Sequence, residues 1–408
     1  MNIPLRKVVL VARSFNDLDC RLPLLREFAS IEGISTSVLI IPTTSSSGLR
    51  VTHPFLERME IPCFYTINLH QKNWIRHVCA WISLNIEQSS AHILSHRVWS
   101  RLWRVIYYWI TKSARIQSGV LQLTTNALVI IDDIVATPSR SFVVPLLVSS
   151  QSLKLICLSH GQNTFLNLWY DKPRKLKSNT GLSSTLTIFT PSDNDSRILE
   201  SNYQNVKAIT IGNTRFDRDW ILFYQEKFLD GKSSLRPFSG TKIVFMMSKM
   251  EYGLEARAVI RIINQASARR ETRIILKPHT RGMSVDEFSR ELDSRVIIAD
   301  KILSSELINW ADIVFFTSSS IVFEAIVKKK KILYLASLQR YKTIFDQLPS
   351  SAIFKDGDDL SAAIDRLERE QYEEPAMRAF LATNVHNGFI DGKVCAKFVT
   401  QILSFNDY

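Results

Sequence analysis

The sequence predicts an α/β protein built on doubly wound parallel sheets. Short runs of Val, Ile, Leu and Phe recur along the whole chain without alternating polar and apolar residues, which is typical of strands buried on both faces. Helix-like segments lie between many of these runs, for example "SSELINWA" at 304–311. A chain of 408 residues is also longer than one hydrophobic core normally holds, so we expect two domains.

Eleven apolar runs are predicted to be strands. In chain order they are KVVLVA (7–12), SVLII (37–41), ALVII (127–131), LKLICLS (153–159), LTIFT (186–190), VKAITI (206–211), KIVFMM (242–247), TRIILK (272–277), RVIIA (295–299), DIVFFT (312–317) and KILYLA (331–336).

The domain boundary is predicted at "FLDGKSSLRPFSGTK", where Gly, Pro and Ser separate a helical segment from a new strand. This divides the chain into a Rossmann-like N-terminal domain at 1–228, a linker at 229–241 and a Rossmann-like C-terminal domain at 242–385. The residues 386–408 are predicted to form a helix that runs back to the N-terminal domain.

Composition narrows the class of protein. The formal net charge of +12 favours anionic ligands, but no nucleic-acid recognition motif accompanies it, so we expect no nucleic-acid partner. Five cysteines without a C-x-x-C pair indicate a reducing compartment, with neither a disulfide framework nor a zinc site. No stretch approaches the ~18 apolar residues of a membrane-spanning helix. We therefore expect a cytoplasmic protein.

One segment, "RVWSRLWRVIYYWITKSAR" at 97–115, has an apolar and aromatic face and a basic face. An ordinary amphipathic core helix has this period and is the first interpretation. The second is an interfacial helix that binds anionic lipid or a lipid-linked acceptor, which would place the protein peripherally on the inner face of the plasma membrane.

Polar side chains after three strands of the second domain are candidate ligand-binding residues, because open parallel sheets bind ligands beyond the carboxyl ends of their strands. Thr317, Ser318, Ser319 and Ser320 follow "DIVFF" and are suited to capping the next helix and to cradling a phosphate. Glu324 lies one turn into that helix. Its carboxylate is a candidate to accept hydrogen bonds from ribose hydroxyls, or to form an ordinary surface ion pair.

The strand "RIIL" is followed by Lys277, His279 and Arg281 in "KPHTRG". Two fixed cations and an imidazole suit a diphosphate group. Ser248 and Lys249, after "KIVFMM", are further candidates for phosphate binding.

The first domain has candidate catalytic residues at its own strand ends. His160 and Gly161 follow "LICLS", and a neutral imidazole there suits a general base. Asp132 and Asp133, after "ALVII", are the alternative bases, or cap the strand end.

Two other polar segments are predicted to be turns or caps. In "GNTRFD" (212–217) a glycine permits a tight turn that Asn213 caps, with Arg215 next to it. The D-x-D at 193–195 lies where a helix cap is expected, so we propose no metal there. The chain lacks G-x-x-x-x-G-K-[ST], G-x-G-x-x-G and G-x-S-x-G, so P-loop, dinucleotide-cofactor and α/β-hydrolase functions lack their signatures.

Taken in order from about 153 to 335, the segments "HGQN", "GNTRFD", "KPH" and "SSS" followed by Glu324 resemble GT-B-fold glycosyltransferases of bacterial surface-polysaccharide assembly. They are similar to CDP-glycerol glycerophosphotransferases and to bacterial sialyl-, polysialyl- and Kdo transferases. The sequence departs from these families at Thr280, where they have proline, and in "IDDI", which lacks the glycine of the sialyltransferase acidic motif. "GNTRFD" is also similar to a turn of UDP-N-acetylglucosamine 2-epimerases.

The resemblance implies two domains that face a central cleft, an N-terminal acceptor domain and a C-terminal nucleotide-donor domain. It also implies that the protein transfers a sugar from a nucleotide donor to a hydroxyl of a glycan or lipid-linked acceptor. It favours a CMP- or CDP-linked donor over a UDP-linked one. In that case His160 would be the base, His279 would contact the donor phosphate, and Ser318, Ser319 and Ser320 would bind the phosphate or the nucleotide. No metal or cofactor is expected. A polyol-phosphate transferase, an epimerase and a non-catalytic binding protein of the same fold are the alternatives.

Overall fold

The computed structural model describes a chain of 408 residues over most of its length. The described residues are 6–12, 15–41, 56–65, 114–132, 147, 154–159, 161–166, 186–202, 206–229, 235–249, 252–279 and 290–404.

The chain divides into two compact units. Unit 1 comprises Met1–Gly161, Leu176–Arg215 and Cys395–Tyr408, and unit 2 comprises Gln162–Lys175 and Phe216–Val394. The predicted linker at 229–241 stays a prediction.

Unit 1 contains a seven-stranded parallel sheet. Its strands are β1 (Lys7–Ala12), β2 (Ser35–Ile40), β3 (Cys63–Tyr65), β4 (Leu128–Asp132), β5 (Lys154–Leu158), β6 (Leu186–Thr190) and β7 (Val206–Thr210), in the order β3-β2-β1-β4-β5-β6-β7. Its helices are α1 (Phe15–Ala29), α2 (Ala114–Thr124) and α3 (Asp193–Asn202). The chain winds outward in one direction from β1 and then in the other from β4, as predicted for a doubly wound sheet.

Unit 2 has a six-stranded parallel sheet. Its strands are β8 (Thr241–Met246), β9 (Thr272–Lys277), β10 (Ile297–Ile298), β11 (Ile313–Phe316), β12 (Lys331–Leu335) and β13 (Ile353–Phe354), in the order β10-β9-β8-β11-β12-β13. Its helices are α4 (Arg218–Tyr224), which continues into a π-helical turn (Gln225–Leu229), α5 (Ala256–Ala268), α6 (Ser304–Trp310), α7 (Val322–Val327), α8 (Leu360–Arg369) and α9 (Glu374–Asn384). Helix α10 (Val394–Ser404) belongs, from Cys395 onward, to unit 1.

The core of unit 2 lies on both faces of its sheet, because successive strand residues point to opposite faces. Ile313 and Phe315 of β11 face one apolar cluster, to which α5 and α8 contribute. Phe316 faces an aromatic cluster on the other side, where its ring centroid lies 4.9 Å from that of Phe345. Burial on both faces is why these strands are continuous apolar runs, and it confirms the α/β class that the sequence predicts.

Candidate functional site

The two central strands of unit 2 end in a pair of buried hydroxyl groups. Met246, at the end of β8, pairs with Phe316, at the end of β11. Beyond them, Ser248 Oγ lies 2.7 Å from Thr317 Oγ1, and these residues are only 3% and 0% exposed. This is the point where the strand order of the sheet reverses, and ligands of doubly wound sheets bind there. The structure thus brings two of the predicted donor-binding residues together.

Ser318 adds a third buried hydroxyl group at this position. The residue is 6% exposed, and its Oγ has no hydrogen-bond partner among the described residues. Its carbonyl accepts a hydrogen bond from Thr164 Oγ1 at 3.0 Å, which fixes the turn. A buried polar group without a partner costs about 1–3 kcal/mol, so an acceptor that reached this hydroxyl would remove a penalty as well as add a bond.

The serines do not cap the next helix, and the capping interpretation is wrong. Helix α7 begins at Val322 with Ile321 at the N-cap, and no side chain there makes a capping hydrogen bond. The chain first makes a turn in which the carbonyls of Ser319 and Ser320 accept from the backbone at 3.3 and 3.1 Å. Both residues are half-buried, and their predicted contact with phosphate stays a prediction.

Glu324 forms an internal ion pair. It is 7% exposed, and its Oε1 accepts from Lys328 Nζ at 2.6 Å while its Oε2 accepts from Ser305 Oγ at 2.7 Å. Both carboxylate oxygens therefore already have donors. The predicted contact with a ribose stays a prediction, and the alternative of an ion pair is what the structure shows, although in a buried and not a surface position.

Lys277, at the end of β9, is bonded to the chain beyond β10. Its Nζ donates to the carbonyls of Asp300 at 2.8 Å and Ile302 at 2.6 Å. Burial lowers the pKa of Lys277, and the charge of Asp300 partly opposes that effect. An ammonium group has three donors, so one remains for a ligand. His279 is half-buried two residues further on, and Arg281 lies outside the described residues.

Lys249 and the segment 162–166 complete the surroundings of the hydroxyl cluster. Lys249 Nζ lies 5.2 Å from the ring centroid of Tyr252. Phe165 is buried, and its ring packs edge-on against Tyr252 with centroids 5.1 Å apart. The backbone N–H of Ile344 donates to Thr164 O at 2.9 Å. The sequence analysis did not single out Thr164, whose partner at 318 is 154 residues away and leaves no local signal.

In unit 1 the structure describes only part of the predicted site. His160 and Asp133 lie outside the described residues, and Asp132 is described only as the last backbone position of β4. Gly161 has φ +73°, the left-handed conformation that favours glycine. The end of β5 is held by the buried Arg21, which donates to Leu158 O at 3.2 Å and also to Ser159 O.

The turn "GNTRFD" has the predicted form. Gly212 has φ +93°, and Asn213 Oδ1 accepts from the backbone N–H of Arg215 at 3.1 Å. The Arg215 guanidinium lies 2.6 Å from Asp19 in an ion pair, and its predicted part in acceptor binding stays a prediction. Ser192 accepts from the backbone N–H of Asp195 at 3.2 Å, so it caps α3 as expected.

Other expectations concern membranes and metals. The segment 97–113 lies outside the described residues, so the predicted interfacial helix stays a prediction. Among the described helices none is both long and apolar enough to cross a membrane. Within the described part of the chain no three His, Cys, Asp or Glu side chains are placed to hold a metal ion together.

Comparison with known proteins establishes the fold. No protein-family model matches the chain, and no curated protein matches it by sequence. Solved structures do match over nearly the whole length. The UDP-GlcNAc 2-epimerase from Neisseria meningitidis bound to UDP-GlcNAc has 15% identity and a TM-score of 0.57, with 98% of this chain and 100% of that chain covered.

Two further structures have the same fold. The UDP-GlcNAc 2-epimerase from Methanocaldococcus jannaschii has 14% identity and a TM-score of 0.54, with 99% of this chain and 100% of that chain covered. Anabaena HepE in complex with UDP-glucose has 12% identity and a TM-score of 0.51, with 98% and 99% covered. The chain therefore has the two-unit, parallel-sheet α/β fold of the GT-B type.

Proposed function

We propose that the protein is a sugar-nucleotide enzyme that binds its nucleotide at the carboxyl edge of the unit 2 sheet. The observation that carries the proposal is the cluster of Ser248, Thr317 and Ser318, three buried hydroxyl groups at the reversal of strand order. Small hydroxyl side chains allow phosphate or ribose oxygens to approach, and the hydroxyl at 318 has a hydrogen bond to offer.

We infer a uridine nucleotide. Structures of the same fold contain UDP-GlcNAc, UDP-glucose and UDP, which supports UDP over the cytidine nucleotide that the motif resemblance favours. Thermal-shift titrations with UDP, CDP, CMP and GDP test this choice. We expect UDP to raise the Tm most, and a larger shift with CMP or CDP would restore the cytidine donor.

The reaction that we propose first is epimerisation at C2 of a UDP-N-acetylhexosamine, because structures with that activity match the chain over nearly all of both lengths. The C2 proton is not activated by a carbonyl, so a base can remove it only as the C1–O bond to UDP breaks and a C1=C2 double bond forms. UDP then adds back at C1 while an acid returns a proton to the other face of C2. His160, Asp132, Asp133 and His279 are the candidates for these two roles.

Glycosyl transfer is the second candidate, and the order of "HGQN", "KPH" and "SSS" supports it. One of the same bases would then take a proton from an acceptor hydroxyl while His279 and Lys277 stabilise the charge on the leaving phosphate. No metal is needed for either reaction.

Incubation with UDP-GlcNAc, followed by proton NMR, separates these proposals. Conversion to UDP-N-acetylmannosamine without any acceptor supports epimerisation. UDP release that requires an added glycan acceptor supports transfer. If UDP and UDP-GlcNAc produce neither turnover nor a calorimetric binding signal, the sugar-nucleotide proposal fails.

Ser318→Ala tests the nucleotide site directly. A hydrogen bond to a charged phosphate contributes about 1.5–3 kcal/mol, so UDP affinity should fall about ten- to a hundredfold. Stability should stay the same or rise, because the buried hydroxyl that is removed has no hydrogen-bond partner in the described part of the chain. Ser361→Ala, an exposed serine on α8, is the matched control. Unchanged UDP affinity in Ser318→Ala would move the nucleotide away from this turn.

His160→Ala tests the candidate base. UDP binding should persist while turnover falls by about 10²–10⁴, the usual contribution of general acid–base catalysis. Full turnover in this variant would shift the role to Asp132 or Asp133, which are then replaced singly.

A further inference from the structure

Unit 2 contains a cavity of about 460 Å³ at the amino edge of its sheet. Lys328, Lys329 and Lys330 line it and immediately precede β12, and Asn309 lines it shortly before β11. β12 has five residues, and at about 3.3 Å per residue its two ends are about 16 Å apart. The cavity is therefore distinct from the hydroxyl cluster at the carboxyl edge.

The charge of this cavity is predominantly positive. Five lysine or arginine side chains line it against two carboxylates, Glu374 and Asp391, and one of the five, Lys328, is already paired with the buried Glu324 at 2.6 Å. Glu374 is already bonded to two of the cations, Lys329 at 2.8 Å and Arg378 at 2.7 Å. Lys330 donates instead to two backbone carbonyls, which accept its hydrogen bonds without neutralising its charge. An anion is the complementary ligand for such a lining.

The rim of the cavity is apolar. Leu222 is 48% exposed and Ile390 is 69% exposed, and they are the two most exposed large hydrophobic side chains of the described residues. Both line this one cavity, with Ile326 and Leu381 buried behind them. Isolated exposed hydrophobic residues need no explanation, but two at one concave, positively charged site indicate a ligand with an apolar part.

The wall that carries Ile390 is held in place. The Arg218 backbone N–H donates to Gly392 O at 3.0 Å, and a Cβ on Gly392 would lie 3.0 Å from that of Arg218. His386, 3% exposed, bonds through Nε2 to Phe216 O at 3.0 Å. These contacts fix the loop, so the cavity is formed before any ligand binds. They also place the exposed Arg218 side chain at its mouth.

We propose that this cavity binds an amphiphilic anion, with a phosphate or carboxylate group at Arg218, Lys329 and Lys330 and an aliphatic body against Leu222 and Ile390. The proposal does not depend on the chemistry at the carboxyl edge. It assigns unit 2 a second ligand, bound at the opposite end of the same sheet.

The test is calorimetric titration of the full chain with octyl phosphate, inorganic phosphate and octyl glucoside. Octyl phosphate combines both features and should bind at least tenfold more tightly than either of the others. Arg218→Gln should weaken octyl phosphate binding about ten- to a hundredfold, the loss expected for one charge-assisted hydrogen bond. Ile390→Asp should weaken it as well, because it places a carboxylate at the apolar rim. Arg257→Gln, on the exposed face of α5, is the control and should change nothing.

Two results would overturn the proposal: equal affinity for octyl phosphate and inorganic phosphate, or unchanged octyl phosphate affinity in both cavity variants. Displacement of octyl phosphate by UDP would also overturn it, since the two ligands would then share one site. Vesicles of phosphatidylcholine with and without phosphatidic acid show whether the natural ligand is a lipid headgroup or a soluble anion. Selective binding to the acidic vesicles identifies a lipid headgroup, and binding of octyl phosphate alone identifies a soluble anion.

Discussion

The carboxyl and amino edges of the unit 2 sheet differ in how their buried polar groups are satisfied. At the carboxyl edge, where the strand order reverses, the groups are neutral hydroxyls, and one of them, on Ser318, has no partner among the described residues. At the amino edge the groups are ions, and the most buried of them, Lys328 with Glu324, are bonded on every side that the structure describes. An unpaired ion in the interior costs far more than an unpaired hydroxyl, so only the hydroxyl can be left for a ligand to complete.

The largest effect is expected at the amino edge. Lys328→Met should lower the free energy of unfolding by about 3–5 kcal/mol, because it leaves the Glu324 carboxylate buried without its cation. Urea unfolding measures the loss. Lys329→Met is the control: that side chain is 59% exposed in its pair with Glu374, so the loss should be about 1 kcal/mol or less. Adding Glu324→Gln to Lys328→Met should restore part of the stability, and equal losses in the two single variants would contradict the comparison.

A smaller effect is expected at the carboxyl edge. Thr317→Val keeps the shape but removes the partner of the buried Ser248 hydroxyl, which should cost about 1–3 kcal/mol. In the double variant with Ser248→Ala both polar groups are gone, and much of the loss should be recovered. A double-mutant cycle by urea unfolding gives the coupling, and additive losses would mean that the two hydroxyls do not depend on each other.

The smallest effect is a pH dependence from His386, beside the amino-edge cavity. Burial lowers the pKa of His386, while its hydrogen bond to Phe216 opposes the shift. The unfolded chain therefore takes up this proton at a higher pH than the folded chain does. Its contribution to stability is complete above about pH 6.5 and declines as pH falls through the folded pKa, by at most about 1.4 kcal/mol per pH unit. His386→Gln should flatten the plot of unfolding free energy against pH between pH 7 and 5. If the slope of that plot is unchanged in the variant, the pH dependence comes from other groups.

The sequence predicts the fold well because the strands are long apolar runs. All eleven predicted runs overlap strands of the structure. The sequence analysis missed β3 and β13, which have three and two residues and are too short to show a period. The rule that ligands bind at strand ends also selected Ser248 and Thr317, each after a different strand, and the structure shows that these strands are neighbours and that the two hydroxyls are in contact.

The details of the site were less predictable, for different physical reasons. The pairing of Glu324 with Lys328 has a sequence signal, the i,i+4 spacing on a helix, but the same spacing fits an exposed pair. The capping interpretation of the serines was wrong because an additional turn precedes α7, and nothing local in "TSSSI" indicates it. The cavity at the amino edge depends on residues from 218 to 392, which only the folded chain brings together.

The contact of the segment 162–166 with the rest of unit 2 has a consequence for synthesis of the chain. Phe165 pairs with Thr343, and Thr164 bonds to a carbonyl 154 residues later. A ribosome that adds about 5–20 residues per second makes the first of these residues roughly 10–35 s before its partner. Until Tyr252 and then Thr343 have been made, the apolar ring of Phe165 lacks contacts that bury it in the folded chain, so the nascent chain is exposed to chaperones and to aggregation at this point. A fragment that begins at the predicted linker would lack this segment permanently, and its unit 2 would fold without the bridge from Phe165 to Thr343 and the bond from Thr164 to Ser318.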